Sequence, residues 1–284
     1  MTVEVVDKIA EVRRRVAAAR GKGLSIALVP TMGALHEGHL SLARAARTDG
    51  YVIMSIFVNP TQFGPGEDFA RYPRDLAQDV QKAESAGVDL VFAPPVEEMY
   101  DRDDATFVEV AGTLTKGLCA PFRPGHFRGV ATVVAKLFNI VQPDRAYFGE
   151  KDYQQLQVIK RMARDLRMPV EVVGVPTVRE ADGLAMSSRN AHLSQEERKA
   201  ALVLNEALMA AKKMAQQGDR DAHAIAAEIR RKVEEDALVR LQYVEVCDAA
   251  TLEPLERLQG RAVIALAAAV GTTRLIDNVI VEGG

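Results

Sequence analysis

Between residues 24 and 175, short apolar runs alternate with amphipathic helices, and this alternation restricts the folds that the chain can adopt. Hydrophobic residues fill each run continuously, which is typical of strands buried on both faces of a parallel sheet. Parallel neighbours also require crossover helices. We therefore predict an α/β fold with a Rossmann-like parallel sheet and helices on both faces. The runs are 24–29, 51–58, 88–94, 145–150 and 169–175.

Two weaker patterns extend this first domain. Helical spacing of Val5, Ile9, Val12 and Val16 predicts a helix at the start of the chain. The β-rich segment 106–110 predicts one further short strand.

The pattern changes after residue 176, where a polar loop leads into helices rich in alanine, glutamate and lysine. Ser194 and Glu197 have the spacing of a capping box at the start of the first helix. Three short strands follow the helices. We predict a domain over 1–176 and a smaller C-terminal α+β domain over 177–284.

Charge and composition exclude several classes of protein. The net charge is −3, so nothing attracts the chain as a whole to nucleic acid or to an anionic membrane. The longest apolar run, 262–270, is far too short to span a bilayer. The first 23 residues lack the apolar stretch of a signal peptide. Cys119 and Cys247 are far apart in sequence, which fits a reducing compartment, so we expect a cytoplasmic protein.

The turn after the first apolar run holds His36 and His39 between a predicted strand and a predicted helix. Three interpretations compete: a zinc site, a phosphate-binding turn, or polar loop residues. Catalytic zinc needs a third protein ligand, and H-E-G-H is not H-E-x-x-H. Gly33 and Gly38 permit a close backbone approach, and a helix N-terminus attracts phosphate, so we favour the second interpretation. A reversal of strand order would bring this turn and "GEKD" (149–152) to one crevice.

Five motifs occur in order along the chain, and together they resemble the pantothenate synthetase (pantoate–β-alanine ligase) family. "HEGH" is similar to the H-x-G-H signature of the wider nucleotidyltransferase superfamily, and "AMSSRN" (185–190) to its second signature, a loop that closes on the triphosphate. The motifs are "PTMGALHEGH", "SIFVNPTQFGPGEDFARYPRD", "RPGHFRGVATVVAKLFNIVQPD", "YFGEKDYQQ" and "VREADGLAMSSRN".

The resemblance implies ATP-dependent condensation of pantoate with β-alanine. Pantoate would attack the α-phosphorus of ATP to give pantoyl adenylate and pyrophosphate, and the β-alanine amine would then release AMP. It also implies a homodimer, Mg²⁺ bound with ATP, and a smaller domain that closes over the active site.

Site residues follow from the same resemblance. His39, His36 and Lys151 are the expected catalytic residues, with His39 as the proton donor, and Gln62 and Gln155 are the expected pantoate-binding amides. Asp75 is the expected Mg²⁺ carboxylate, with Asp79 and Asp68 as rivals. Asn59, Arg123, His126 and Arg128 are candidate supporting residues. The expected ATP-binding residues are Met32, Gly33, Ala34, Leu35, His36, Glu37, Gly38, His39, Gly149, Glu150, Lys151, Asp152, Val178, Met186, Ser187, Ser188 and Arg189.

Two alternative functions remain open from the sequence. One is a nucleotidyltransferase that acts on a phosphorylated acceptor, although such an enzyme would need more basic residues near the amides. The other is a nucleotide-binding protein without catalytic activity.

Overall fold

The computed structural model describes residues 3–283, which form two compact units. The first unit runs to Val110 and adds Arg123–Glu150 and Val158–Pro176. The second combines Ala111–Phe122, Lys151–Gln157 and the chain from Thr177 onward. No helix among residues 3–283 is both long and apolar enough to cross a membrane.

The first unit is built on a six-stranded sheet in which every neighbouring pair is parallel. Its spatial order is β1-β4-β3-β2-β5-β6. This architecture confirms the predicted α/β class. The strands are β1 (Glu4–Val6), β2 (Ile26–Thr31), β3 (Tyr51–Ile56), β4 (Leu90–Phe92), β5 (Arg145–Gly149) and β6 (Glu171–Val175).

Both faces of this sheet are covered, which explains the continuous apolar runs. On one face, α2 and α3 pack against Val29, Val52 and Met54. Leu28 and Ile53 alternate with those residues along the strands and are also fully buried. The helices are α1 (Ile9–Gly21), α2 (Glu37–Arg47), α3 (Leu76–Ser85), α4 (Val96–Met99), α5 (His126–Val141) and α6 (Tyr153–Asp165).

The strand order reverses between β2 and β5. From β2 the chain proceeds through β3 to β4 on one side, whereas β5 is followed by β6 on the other side. The carboxyl ends of β2 and β5, at Thr31 and Gly149, therefore lie on adjacent strands. The predicted reversal is confirmed, and it creates the kind of crevice in which α/β sheets bind ligands.

Two local predictions in this unit are wrong. Val5 lies in β1, and the first helix begins only at Ile9, because residues 4–6 pair with the backbone of β4. Segment 106–110 forms no strand. The backbone N–H of Val108 instead donates to the Thr132 hydroxyl oxygen at 3.0 Å, and no strand among residues 3–283 pairs with the segment.

The second unit contains an antiparallel sheet in the order β7-β8-β9, packed against two helices around one apolar core. The predicted capping box is present: Ser194 Oγ accepts from Glu197 N at 3.1 Å, and Glu197 Oε2 accepts from Ser194 N at 2.8 Å. The elements are α7 (Gln195–Gln216), α8 (Ala222–Val233), β7 (Val239–Asp248), β8 (Gly260–Val270) and β9 (Thr273–Gly283).

Two segments from the predicted first domain, 111–122 and 151–157, pack in the second unit. The buried Gln154 side chain joins them. Its Oε1 accepts from Cys119 N at 2.9 Å, and its Nε2 donates to Leu114 O at 2.9 Å and to Gly117 O at 3.0 Å. The boundary at 176 coincides with one break between the units. The predicted closing of the smaller domain over the active site stays a prediction.

Helix α5 and the short helix Pro60–Gln62 approach closely at Gly129. A Cβ atom at this position would lie 2.3 Å from Thr61 O and 2.7 Å from Gln62 Cα. Asn59 Nδ2 also donates to Gly129 O at 3.3 Å. Glycine is therefore required where α5 holds the Gln62 backbone in place.

Gly129→Ala should lower the free energy of unfolding by about 3 kcal/mol, because the added methyl group must push two backbones apart. Urea denaturation of the purified variant measures this change. Gly21→Ala at the end of α1 is the matched control, because its Cβ would meet nothing within 4 Å. Equal unfolding free energies for the two variants would contradict the close approach.

Candidate functional site

Asp79, a residue of α3, holds the turn that follows β2. It is only 2 % exposed. Its Oδ2 accepts from Ala34 N at 2.9 Å, and its Oδ1 accepts from Leu35 N at 2.7 Å. Lys82 Nζ donates to Leu35 O at 2.8 Å. One helix thus fixes the backbone of the turn through a carboxylate and an ammonium group.

The turn has an unusual backbone. Gly33 has φ of 83° and Ala34 has φ of 50°, both in the left-handed region. A Cβ on Gly33 would lie 2.8 Å from Asp79 Oδ2 and 3.1 Å from Ile56 Cγ2. Glycine is therefore needed at position 33 for two reasons: it adopts the left-handed conformation without strain, and it leaves room for the Asp79 carboxylate.

His36 and His39 cap the start of α2 with their side chains. His36 is the N-cap residue, and its Nδ1 accepts from Gly38 N at 3.1 Å. His39 Nδ1 accepts from His36 N at 3.4 Å, and the ring centroids are 4.1 Å apart. A neutral imidazole that accepts at Nδ1 carries its proton on Nε2. In their neutral form both rings therefore carry the proton on Nε2, the atom that the phosphate-binding interpretation uses as the donor.

Nothing in the described part of the chain gathers three His, Cys, Asp or Glu side chains as a metal ion would need. Asp75 is the N-cap of α3, where its Oδ1 accepts from Gln78 N at 3.0 Å. Asp79 already uses both oxygens on the turn, and Asp68 begins a short helix. Asp75 as the Mg²⁺ carboxylate stays a prediction.

The predicted pantoate amide Gln62 lies in a buried polar network of the first unit. Its Nε2 donates to Met32 Sδ at 3.1 Å, and its Oε1 accepts from Asn59 Nδ2 at 3.0 Å. Asn59 Oδ1 in turn accepts from the Tyr100 hydroxyl at 2.8 Å. Burial raises the pKa of Tyr100, so its hydroxyl keeps the proton that it donates.

Three of the supporting residues join this network. Arg123 NH1 lies 3.0 Å from His126 Nε2, which must accept because arginine only donates. His126 Nδ1–H therefore donates to Gln62 O at 2.9 Å. Burial alone would raise the pKa of Glu67, but its paired hydrogen bonds with Arg123 lower it overall. Arg128 instead lies over the Phe107 ring, 4.9 Å from its centroid.

The second unit carries further predicted nucleotide contacts, whereas Gly149 and Glu150 lie in the first unit. Lys151 Nζ lies 3.6 Å from Asp152 Oδ2, and the Lys151 side chain is 20 % exposed. Gln155 is half-buried on α6. The neighbouring Gln154 is also an amide within the same motif. Its side chain, however, makes structural hydrogen bonds within the second unit.

A narrow hairpin brings the remaining predicted ATP contacts together. Arg179 and Ala185 form an antiparallel bridge, and Met186 N donates to Val178 O at 3.0 Å. Ser187 Oγ accepts from Arg189 N at 3.2 Å and starts a short helical turn. Val178 and the segment 186–189 are thereby adjacent, although eight positions separate Val178 from Met186.

Several residues that shape the site escaped the sequence prediction. The sequence indicates Asp79 only as a rival Mg²⁺ carboxylate, and it does not indicate Gln154, Asp277 or Asn278. Their contacts lie 35 to 127 positions away along the chain, so no local pattern marks them.

Two cavities lie elsewhere. One of about 270 Å³ in the first unit is lined by Thr61, Tyr100 and Phe107 among others. One of about 490 Å³ in the second unit is lined by Lys116 and His223 among others. None of the predicted ATP- or pantoate-binding residues lines either cavity.

Comparison with known proteins gives a consistent result. The family model described as Pantoate-beta-alanine ligase matches residues 4–280. Pantothenate synthetase of Moorella thermoacetica is 61 % identical over 281 residues, 99 % of each chain. The crystal structure of pantothenate synthetase from Thermus thermophilus aligns with a TM-score of 0.91 at 50 % identity, covering 98 % of this chain and 99 % of that one. Pantoate-beta-alanine ligase from Francisella tularensis, complexed with beta-gamma ATP and beta-alanine, aligns at 0.79 and 33 % identity, covering 98 % and 97 %.

Asp79→Asn should lower the free energy of unfolding by about 3 kcal/mol, because an amide group offers one acceptor where the turn has two N–H donors. Urea denaturation tests this. Asp75→Asn is the control: asparagine caps helices as well as aspartate does, so its effect should stay below about 1 kcal/mol. Near-identical unfolding curves for the two variants would show that Asp79 does not hold the turn.

Proposed function

This chain belongs to the pantoate–β-alanine ligase family, and from that premise we propose that it joins pantoate to β-alanine while ATP is cleaved to AMP and pyrophosphate. The observation that carries the proposal is the pair of histidine rings that cap α2 through Nδ1, directly after β2, where the strand order reverses. The Francisella relative, solved with beta-gamma ATP and beta-alanine, supports the same substrates here.

In the first step, a pantoate carboxylate oxygen attacks the α-phosphorus of ATP. The bond from this phosphorus to the bridging oxygen breaks, and negative charge accumulates on the departing pyrophosphate. His36 and His39 can donate hydrogen bonds to that charge from a fixed position, with His39 nearest the leaving group and acting as proton donor. Because capping occupies both Nδ1 atoms, little reorganisation is needed during the reaction.

In the second step, the β-alanine amine attacks the acyl carbon of pantoyl adenylate and AMP leaves. The enzyme forms no covalent bond in either step. Its contribution is to position the reactants and to stabilise charge.

We assign the nucleotide to the residues that the motifs indicate. Met32–His39, Gly149 and Glu150 form one set. Lys151, Asp152, Val178 and Met186–Arg189 form the other. Lys151 offers a compact charge for the α- and β-phosphates, and the serine hydroxyls can donate without losing a proton.

Pantoate binding is assigned to Gln62 and Gln155, because an amide can accept from a hydroxyl and donate to a carboxylate. The current acceptor of Gln62 Nε2 is the Met32 thioether, 3.1 Å away. A thioether is a weak acceptor, so a substrate carboxylate can replace it at small cost.

Mg²⁺ would enter with ATP and neutralise phosphate charge, held mainly by phosphate oxygens and water. The donor set of the chain fits this arrangement, since the described residues offer single carboxylates rather than a three-ligand cage. Asp75 is our candidate contact. Its Oδ1 caps α3, so a hydrated ion would use Oδ2.

Two further proposals concern the whole protein. The family resemblance implies a homodimer, and the exposed segment around Phe107, a residue that is 58 % exposed, is a suitable surface for a second copy. Cys119 and Cys247 are both buried free thiols, which supports a cytoplasmic location.

We expect pantoate-dependent exchange of radiolabelled pyrophosphate into ATP in the absence of β-alanine, because adenylation precedes attack by the amine. Exchange measured with a panel of hydroxy acids and phosphorylated acceptors tests this order. A requirement for β-alanine would contradict the two-step sequence. Exchange driven by a phosphorylated acceptor would favour a nucleotidyltransferase.

His39→Ala should lower turnover about 100-fold, because one preorganised donor to developing charge is worth about 3 kcal/mol. Steady-state kinetics, with circular dichroism to confirm folding, measure the loss. His223→Ala removes an exposed histidine of α8 and serves as the control. Unchanged turnover in a folded His39→Ala protein would reduce His39 to a capping residue.

A further inference from the structure

Strand β9 carries two consecutive buried polar residues, Asp277 and Asn278, which are 4 % and 6 % exposed. Neither belongs to the motifs that indicate the nucleotide site. Burial of an aspartate requires strong partners, since an uncompensated buried charge is costly. The partners of both residues lie in the second unit: Arg179, in the hairpin that leads to segment 186–189, and Lys151.

Asp277 binds the base of the hairpin that precedes Met186. Its Oδ2 accepts from Arg179 NH1 at 2.7 Å and its Oδ1 from Arg179 NH2 at 3.0 Å, which is a two-pronged ion pair. Arg179 NH1 also donates to Gly183 O at 3.2 Å. Because Arg179 pairs with Ala185, the carboxylate fixes the residue directly before Met186.

Asn278 holds the lysine segment. Its Nδ2 donates to the backbone oxygen of Lys151 at 2.9 Å. Its own backbone oxygen accepts from Arg179 NH2 at 3.4 Å. Two adjacent residues of one strand thus contact both segments.

The strand itself is a rigid support. β9 pairs with β8 without interruption from Thr273 to Gly283. On the hairpin side, Asn190 Nδ2 donates to Glu180 Oε1 at 2.7 Å and to Ala185 O at 3.1 Å. Arg198 binds Glu180 and Asp182 at 2.6 Å each. The hairpin is therefore held on both flanks, and the triphosphate segment 186–189 extends from a fixed base.

We propose that Asp277 and Asn278 are positioning residues that set the distance between Lys151 and the segment 186–189, so that both meet the same triphosphate. This inference rests on the proposed function. Neither residue is assigned to the ligand itself. Asn278 acts through the backbone of Lys151, and Asp277 acts through Arg179, which pairs with Ala185. A displacement of about 1 Å in such a site can lower the rate about 100-fold.

The half-reactions separate positioning from general stability. Asp277→Asn and Asn278→Ala should each slow single-turnover formation of pantoyl adenylate roughly 10- to 100-fold, the order expected for misplaced groups. Aminolysis of supplied pantoyl adenylate should change less than about threefold, because pyrophosphate has already left. Glu282→Gln makes the same carboxylate-to-amide change at an exposed position of β9, and it should leave both steps unchanged. Equal losses in the two steps, or no loss in either, would overturn the proposal.

If Asp277→Asn fails to fold, Arg179→Lys tests the same ion pair from its other side. It keeps the positive charge beside Asp277 but loses the planar two-pronged pair, so we expect an intermediate loss confined to adenylation. Wild-type rates in Arg179→Lys would contradict the role of the ion pair.

Hydrogen exchange with mass spectrometry tests the positioning claim without any assay of activity. Asp277→Asn should speed exchange in peptides covering 179–190, and Asn278→Ala in peptides covering 151–155, while Glu282→Gln changes neither. Unaltered exchange in both segments would overturn the inference even if the wild type forms pantoyl adenylate. If the wild-type protein forms no adenylate but the variants still show altered exchange, the contacts of Asp277 and Asn278 do hold their segments. The result then rejects the proposed function instead.

Discussion

The carboxylate of Asp79 and the two backbone N–H groups from which it accepts are the interaction on which the site depends. They hold a turn with two successive left-handed residues, Gly33 and Ala34, the second of which carries a side-chain penalty. This turn also fixes the residue at which α2 begins, and it thereby places His36 and His39 where they cap the helix. Because capping uses Nδ1 of each ring, the proton of each neutral ring is on Nε2. The Asp79 carboxylate on α3 therefore determines which ring nitrogen of each histidine carries the proton in the turn after β2.

The second unit repeats this arrangement with different elements. Asp79 and Asp277 are both almost fully buried, and each uses both oxygens to hold a segment assigned to phosphate. One acts on backbone amides directly, and the other acts through the guanidinium of Arg179. Asp79 contacts its segment directly, whereas Asp277 contacts the residue that pairs with Ala185, directly before segment 186–189. Stiffness of this kind is what preorganised charge stabilisation requires.

The sequence predicted the parallel sheet, the strand reversal and the capping box of Ser194, because each has a local pattern. It failed at β1, whose three residues form a strand only because β4 offers a backbone to pair with. It failed at 106–110 for the opposite reason, since a β-rich pattern found no partner strand in the described chain. The site motifs are local and could be located by pattern, whereas Asp277 is 98 positions from Arg179 and only the fold brings them together.

The tautomers of His36 and His39 test most directly the claim that the turn presents two fixed Nε2–H donors. Two-dimensional NMR correlating ring protons with ring nitrogens, recorded at a pH at which both rings are neutral, distinguishes the two forms. Single His36→Gln and His39→Gln variants assign the signals. We expect the proton on Nε2 and a bare Nδ1 in both rings. A proton on Nδ1 of either ring would contradict the capping geometry and the donor role derived from it.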